Sequence, residues 1–134
     1  MKDDLITPEN LSNEFLKSIF DDAYMDSKIE NDEVKVREEV IVRIQIDNEK
    51  DRMRLITIYR FSDDSSDMDR LICSNNINSN YILVSTSVYE DILVFYHDLI
   101  VSGGIPKKNM VLTLKRFATI PSIAVSNFGS DIVL

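Results

Sequence analysis

Residues 92–101 read ILVFYHDLIV, and no other stretch limits the fold as tightly. Leu93, Phe95, Leu99 and Val101 alternate with Ile92, Val94, Tyr96 and Ile100, so a strand here is apolar on both faces. The preceding run, YILVSTS at 81–87, is also strand-like, and Val88-Tyr89-Glu90-Asp91 connects the two. Gly103-Gly104 stops the second run, and a helix pattern opens at Ile105-Pro106. The unit is a hairpin feeding a helix, and the upstream chain reads as material that extends and covers it.

Upstream, Thr7-Pro8-Glu9 predicts a helix start, with Thr7 as cap, Pro8 in the first turn and Glu9 at the positive end of the dipole. Leu11, Phe15, Leu16, Ile19, Phe20 and Ala23 form one apolar stripe, and the helix ends near Asp22–Tyr24. The period then changes to two. Met25–Glu30 suits a short strand before the polar turn Asn31-Asp32, and Val34 and Val36 alternate with Lys35 and Arg37. Val40, Val42, Ile44 and Ile46 alternate with Ile41, Arg43, Gln45 and Asp47. After a charged turn at 48–51, Met53, Leu55, Thr57, Tyr59 and Phe61 face one way, with Arg54, Ile56, Ile58 and Arg60 opposite.

A loop at Ser62–Ser66 supplies caps for a second helix from about Asp67 to Ile77, with Met68, Leu71, Ile72 and Asn75 on its packing face. The Asn-rich run 75–80 ends that helix. The last helix carries Met110, Leu114, Phe117 and Pro121 on one stripe, and Pro121 should kink or break it. The order α-β-β-β-α-β-β-α with short connections predicts an α+β fold with an antiparallel sheet. No repeat or linker interrupts it, so residues 1–134 read as one domain.

Charge excludes some functions. Fifteen Lys and Arg against 23 Asp and Glu give a formal charge of -8, which repels phosphate backbones and anionic membranes. Neither nucleic acid nor membrane is expected as a partner. Cys73 is alone, so no internal disulfide forms and a reducing compartment fits. Met1-Lys2-Asp3-Asp4 lacks a signal-peptide pattern, and no apolar run approaches the ~18 residues of a membrane span. The expectation is a soluble, cytoplasmic protein.

The chemical candidates fail on their surroundings. His97 is the one histidine, in phase with Phe95 and Leu99, and reads as structural. Cys73 lies among Leu71 and Ile72 and reads as a small buried apolar residue. Asp63 to Asp69 fails the calcium-loop template, with Met68 where glycine belongs and Ser74 where the bidentate Glu is required. Gly103-Gly104 ahead of Lys107 and Lys108 lacks the phosphate-loop spacing, and Pro106 removes an N–H donor. Arg43, Arg52, Arg54 and Arg60 collect on one sheet surface and are expected to pair with neighbouring carboxylates. Ile132-Val133-Leu134 reads as a docked tail, with capture by a β-augmenting partner as the alternative. No catalytic residue, cofactor or metal ligand is assigned.

Taken together, Ile6-Thr7-Pro8-Glu9-Asn10-Leu11 before the first helix, the charged run into 40–47, the strand Arg54-Leu55-Ile56-Thr57-Ile58-Tyr59 and the hairpin closing on Gly103-Gly104-Ile105 resemble the YbjN family of bacterial sensory transduction regulators. The likeness spans about Leu5 to Phe128. It departs at Pro106, where a hydroxyl cap is expected, and at Pro121. It implies a type III secretion chaperone-like fold, a chaperone- or adaptor-like role and frequent dimerisation, with no active-site residues to carry over.

The residue pattern and the resemblance meet on one point. Three short helices leave one face of a doubly apolar sheet uncovered. The expected site is therefore a partner-binding sheet face bearing Ile56, Ile58, Ile92, Val94 and Tyr96, or else a helix groove, engaged by a protein partner or by a second copy. A small-molecule-sensing domain with a pocket between sheet and helices is the alternative. An enzyme is the weakest reading.

Overall fold

A computed structural model describes residues 4–134. The signal-peptide reading of Met1-Lys2-Asp3-Asp4 therefore lies, apart from Asp4, outside the described residues. The elements are β1 (Leu5–Ile6), α1 (Asn13–Asp22), β2 (Asp26–Glu30), β3 (Glu33–Arg37), β4 (Ile41–Ile46), β5 (Arg52–Arg60), α2 (Asp67–Asn80), β6 (Ser85–Tyr89), β7 (Ile92–Ile100), β8 (Ile105–Pro106) and α3 (Lys107–Phe128). The α+β class and the antiparallel sheet agree with the sequence reading. Four strands, not three, separate the first two helices, because Asp26–Glu30 and Glu33–Arg37 pair as a complete hairpin.

Six strands form one antiparallel sheet in the order β2-β3-β4-β5-β7-β6. Two-residue turns set two of its hairpins, β2–β3 and β6–β7. Asn31 and Asp32 sit at φ 55° and 61°, the left-handed pair of a tight hairpin turn. Glu90 at φ 54° and Asp91 make the β6–β7 turn, with Tyr89 opposite Ile92. The connection is thus two residues shorter than the sequence suggested, and β6 starts at Ser85, not Tyr81. A separate two-stranded pairing of β1 with β8 ties the start of the chain to the entrance of α3. Gly104, at φ +89°, allows this approach, since a Cβ there would meet Leu5 Cδ1 at 3.2 Å.

All three helices lie on one face of the sheet. α1 packs on β2 and β3, α3 crosses β4 and β5, and α2 covers β6. Leu16, Ile19 and Phe20 of α1, Ile77 of α2 and Met110, Leu114 and Phe117 of α3 share one core with Val34, Val36, Val42, Ile44, Met53, Leu55, Leu93 and Phe95. Those strand residues sit at alternate positions, so a single face of each strand is used.

Helix details differ from the sequence reading for local reasons. Thr7–Asn10 forms a turn in which the Thr7 N–H donates to Asn10 Oδ1, and the helix starts later, capped by Ser12 Oγ accepting from the Phe15 N–H. α2 turns a different face inward from the one expected. Its buried residues are Arg70, Cys73, Ser74 and Ile77, while Met68, Leu71 and Ile72 are exposed. Hydrogen bonds drive this choice: Arg70 donates to the carbonyls of Ser62 and Glu90, and Ser74 Oγ lies 2.7 Å from Thr86 Oγ1. α3 runs unbroken through Pro121, because Phe117, Ala118, Pro121 and Ala124 are all buried and hold both halves to the core. At its start Pro106 occupies the cap position with no side-chain bond. The tail docks alongside β5, with the Leu134 N–H on the Arg60 carbonyl and the Ser62 N–H on the Ile132 carbonyl.

The Asn-rich run does not end α2 at Ile77. It continues to Asn80, helped by Ser79 Oγ and Asn80 Nδ2 donating to carbonyls one turn back. Asn78 also closes the β6 edge: its Oδ1 accepts from the Thr86 N–H at 2.6 Å, and its Nδ2 donates to the Thr86 carbonyl at 3.1 Å. A side-chain amide thus stands in for a neighbouring strand. Asn78→Ala should cost about 1–3 kcal/mol in urea unfolding, since it strands both backbone groups. Asn75→Ala, a position with no such bonds, should change stability by less than about 0.5 kcal/mol. Equal effects at the two positions would remove the edge-closing role.

Candidate protein-interaction face

The face of the sheet away from the helices carries the alternate residues of the same strands. Register brings the sequence-predicted residues together on it. Ile56 on β5 lies opposite Tyr96 on β7, Ile58 opposite Val94, and Ile92 opposite Arg60. Ile56 also faces Arg43 across the β4–β5 ladder. These five residues lie together on the adjacent strands β5 and β7. Ile58 is 42% exposed, whereas Ile56 is only 7% exposed yet lies outside the core shared with the helices. Ile92, Val94 and Tyr96 are half-buried.

Three further apolar residues extend the patch and were not assigned from sequence. Ile41 on β4, Tyr89 on β6 and Ile100 at the end of β7 are 47%, 66% and 69% exposed. For Ile41 and Ile100 the signal was present, since each is in phase with residues already placed on this face. Tyr89 lay hidden in what read as a connecting loop.

Ion pairs surround the patch. Arg43 binds Glu33 through two nitrogens at 2.8 and 3.1 Å, and Arg54 binds Asp98 likewise at 2.6 and 2.9 Å. Arg52 pairs with Asp47 and Arg60 with Asp91, so all four arginines singled out from sequence have carboxylate partners. Lys28 and Lys35 share Glu30, and Arg37 reaches Asp26. The Arg54 guanidinium also stacks 4.6 Å above the Tyr96 ring. Among the described residues, every ion pair but Lys17–Asp21 lies on this face or at its rim.

These contacts fix the charge states. Hydrogen bonds from Lys35 and Lys28 hold the Glu30 carboxyl down to about 2. Partial burial pushes Glu33 up, but the hydrogen bonds from Arg43 and Gln45 outweigh it and leave the carboxyl below its usual range. The Arg54 hydrogen bond lowers Asp98, and the Glu49 backbone N–H, with Arg52, lowers Asp47. The pairs are largely exposed, so each contributes little to stability, but together they neutralise the face.

The other candidates are structural in their contacts. His97 lies opposite Leu55, on the helix side of β7, and burial lowers its pKa. Cys73 is buried, and burial raises its thiol. In the Asp63–Asp69 segment, Ser66 Oγ caps α2 by accepting from the Asp69 N–H. The Gly104 N–H is bonded to the Val101 carbonyl, and Lys107 lies 5.2 Å above the Phe15 ring, so neither is directed at an anion. Among the described residues no group of three or more His, Cys, Asp or Glu is arranged to hold a metal. No described helix is long and apolar enough to cross a membrane.

No protein-family profile matches the chain, and no curated protein matches it. Solved structures do. The crystal structure of YbjN from E. coli superposes with a TM-score of 0.75 at 12% identity, over 92% of this chain and 96% of that one. The Yersinia pestis type III secretion chaperone SycH, solved in complex with a stable fragment of YscM2, gives a TM-score of 0.55 at 10% identity, over 85% of this chain and 97% of that one. Similarity of this kind concerns the backbone, and the fold of this chain is YbjN-like, in the manner of a type III secretion chaperone.

Proposed function

We propose that this chain is a non-enzymatic protein-interaction module of adaptor or chaperone type, cytoplasmic, homodimeric and regulatory in bacterial signalling. The observation that carries this reading is the apolar patch around Ile58, Val94 and Tyr96 on a sheet face that no helix covers. An exposed apolar patch framed by polar residues is the usual mark of a partner surface. SycH, which shares the fold, is seen with a protein fragment bound, which favours a protein as the occupant here.

Charge favours a second copy. The chain carries a formal -8, yet the cations and carboxylates on this face nearly balance. The surplus negative charge therefore lies elsewhere on the molecule. Two copies meeting helix side to helix side repel, while two meeting sheet to sheet do not. Six strands span roughly 25 Å, wide enough for a self-complementary interface of ordinary size.

Light scattering on the eluting protein at tens of micromolar (about the range of weak obligate pairs) should give twice the chain mass. Ile58→Lys should give a single chain mass and melt as the dilute wild-type monomer does, because Ile58 is exposed in the monomer. A wild-type protein of single chain mass contradicts the dimer.

Association should also depend on acid. Glu30, Glu33, Asp47 and Asp98 have folded pKa values below their ordinary ones, so their pairing is fully present above the unfolded value, about 4 to 4.5. It is lost as pH falls through the folded values, which for Glu30 means about 2. The face is then left with unneutralised Lys and Arg, and the copies repel. The dimer dissociation constant should stay flat from pH 6 to 8 and rise by roughly tenfold or more as pH falls from 5 toward 2. Tighter association on acidification contradicts the charge argument.

A further inference from the structure

The outward side of α2 is a second apolar surface, separate from the sheet. Met68, Leu71 and Ile72 are 65%, 56% and 49% exposed, one helical turn apart on the same side. They are free because the helix buries Arg70, Cys73, Ser74 and Ile77 instead. Ile72 continues into a groove of about 380 Å³ between α2 and the end of α3, where Cys73, Phe128 and Ile132 line the floor. The surface therefore has both a ridge and a slot beside it.

Its border is acidic. Asp69 and Asp131 line the groove, Asp67 sits in the first turn of α2, and Asp63 and Asp64 lead into it. Among the described residues none of these five takes part in an ion pair. This contrasts with the sheet face, where each cation is matched. The cation next in sequence, Arg70, is turned inward onto Ser65 Oγ and the Ser62 and Glu90 carbonyls, with its guanidinium 5.4 Å above the Phe61 ring. It cannot neutralise the border without losing those bonds.

We propose that this surface docks a cationic amphipathic segment of another protein, with apolar residues repeating every three or four positions and Lys or Arg beside them. The apolar stripe would lie along Met68, Leu71 and Ile72 and against the groove, and its cations would meet Asp69 and Asp131 across the slot. The same border repels anionic lipid and nucleic acid, which selects a protein segment over a membrane surface. This site is distinct from the sheet face and does not depend on it.

The test uses a fluorescein-labelled Leu/Lys peptide that forms an amphipathic helix, and a peptide of the same composition scrambled so that no apolar face forms. Fluorescence anisotropy on the full chain should show binding at tens of micromolar in low salt, weakened roughly tenfold at high salt. The scrambled peptide should bind roughly tenfold more weakly. The double variants Leu71→Ser/Ile72→Ser and Asp69→Asn/Asp131→Asn should each lose roughly fivefold or more, with melting transitions unchanged because all four side chains are exposed. Leu112→Ser, an exposed side chain of α3 that belongs to neither surface, should bind as the wild type does. The proposal is overturned if the amphipathic peptide fails to bind at about 100 µM, or if its scramble binds equally. It is equally overturned if Leu112→Ser abolishes binding while the α2 variants leave it intact, or if anionic vesicles bind more tightly than the peptide.

Discussion

Coverage of only one side of a sheet whose central strands are apolar on both sides governs this structure. β5 and β7 place Met53, Leu55, Leu93 and Phe95 beneath the helices and Ile56, Ile58, Val94 and Tyr96 on the other side. Three helices on one face build a complete core around Phe20, Phe95 and Phe117. That core satisfies folding but leaves the second apolar layer to water or to a partner. The arrangement is tolerable in a free chain because the ladder neighbours Arg43 and Tyr96 flank Ile56, which is only 7% exposed.

Charge is distributed to match. On the sheet face, cations alternate with carboxylates across neighbouring strands and cancel pairwise, as in Arg54–Asp98 and Arg43–Glu33. On α2 the carboxylates stand alone around exposed apolar side chains. The two surfaces thus differ in chemistry: one is apolar with its charges paired, the other apolar with unpaired carboxylates at its border.

Much of the fold was legible because period-two alternation with β-branched residues is a direct imprint of a sheet. The faces of Val42–Ile44, Met53–Tyr59 and Leu93–Leu99 follow from it, and so does the placement of Ile56, Ile58, Ile92, Val94 and Tyr96 on one side. The resemblance to YbjN rested on the same strands, and the backbone agrees with it. What sequence could not show is tertiary hydrogen bonding. α2 buries Arg70 and Ser74 because particular carbonyls and Thr86 wait for them, which no apolar count reveals. Asn78 reads as a helix terminator until Thr86 is seen beside it. Pro121 reads as a break until both halves of α3 are seen packed on the core.

The account stands on the sheet face being open in the lone subunit and closed when occupied. Hydroxyl-radical footprinting at nanomolar and at high micromolar concentration (about the extremes that separate free from associated chains) tests this residue by residue. Ile58, Val94 and Tyr96 should label when dilute and become protected when concentrated, while Leu93 and Phe95 stay protected throughout. Equal labelling of Ile58, Val94 and Tyr96 at both concentrations, or protection of all five when dilute, would contradict it.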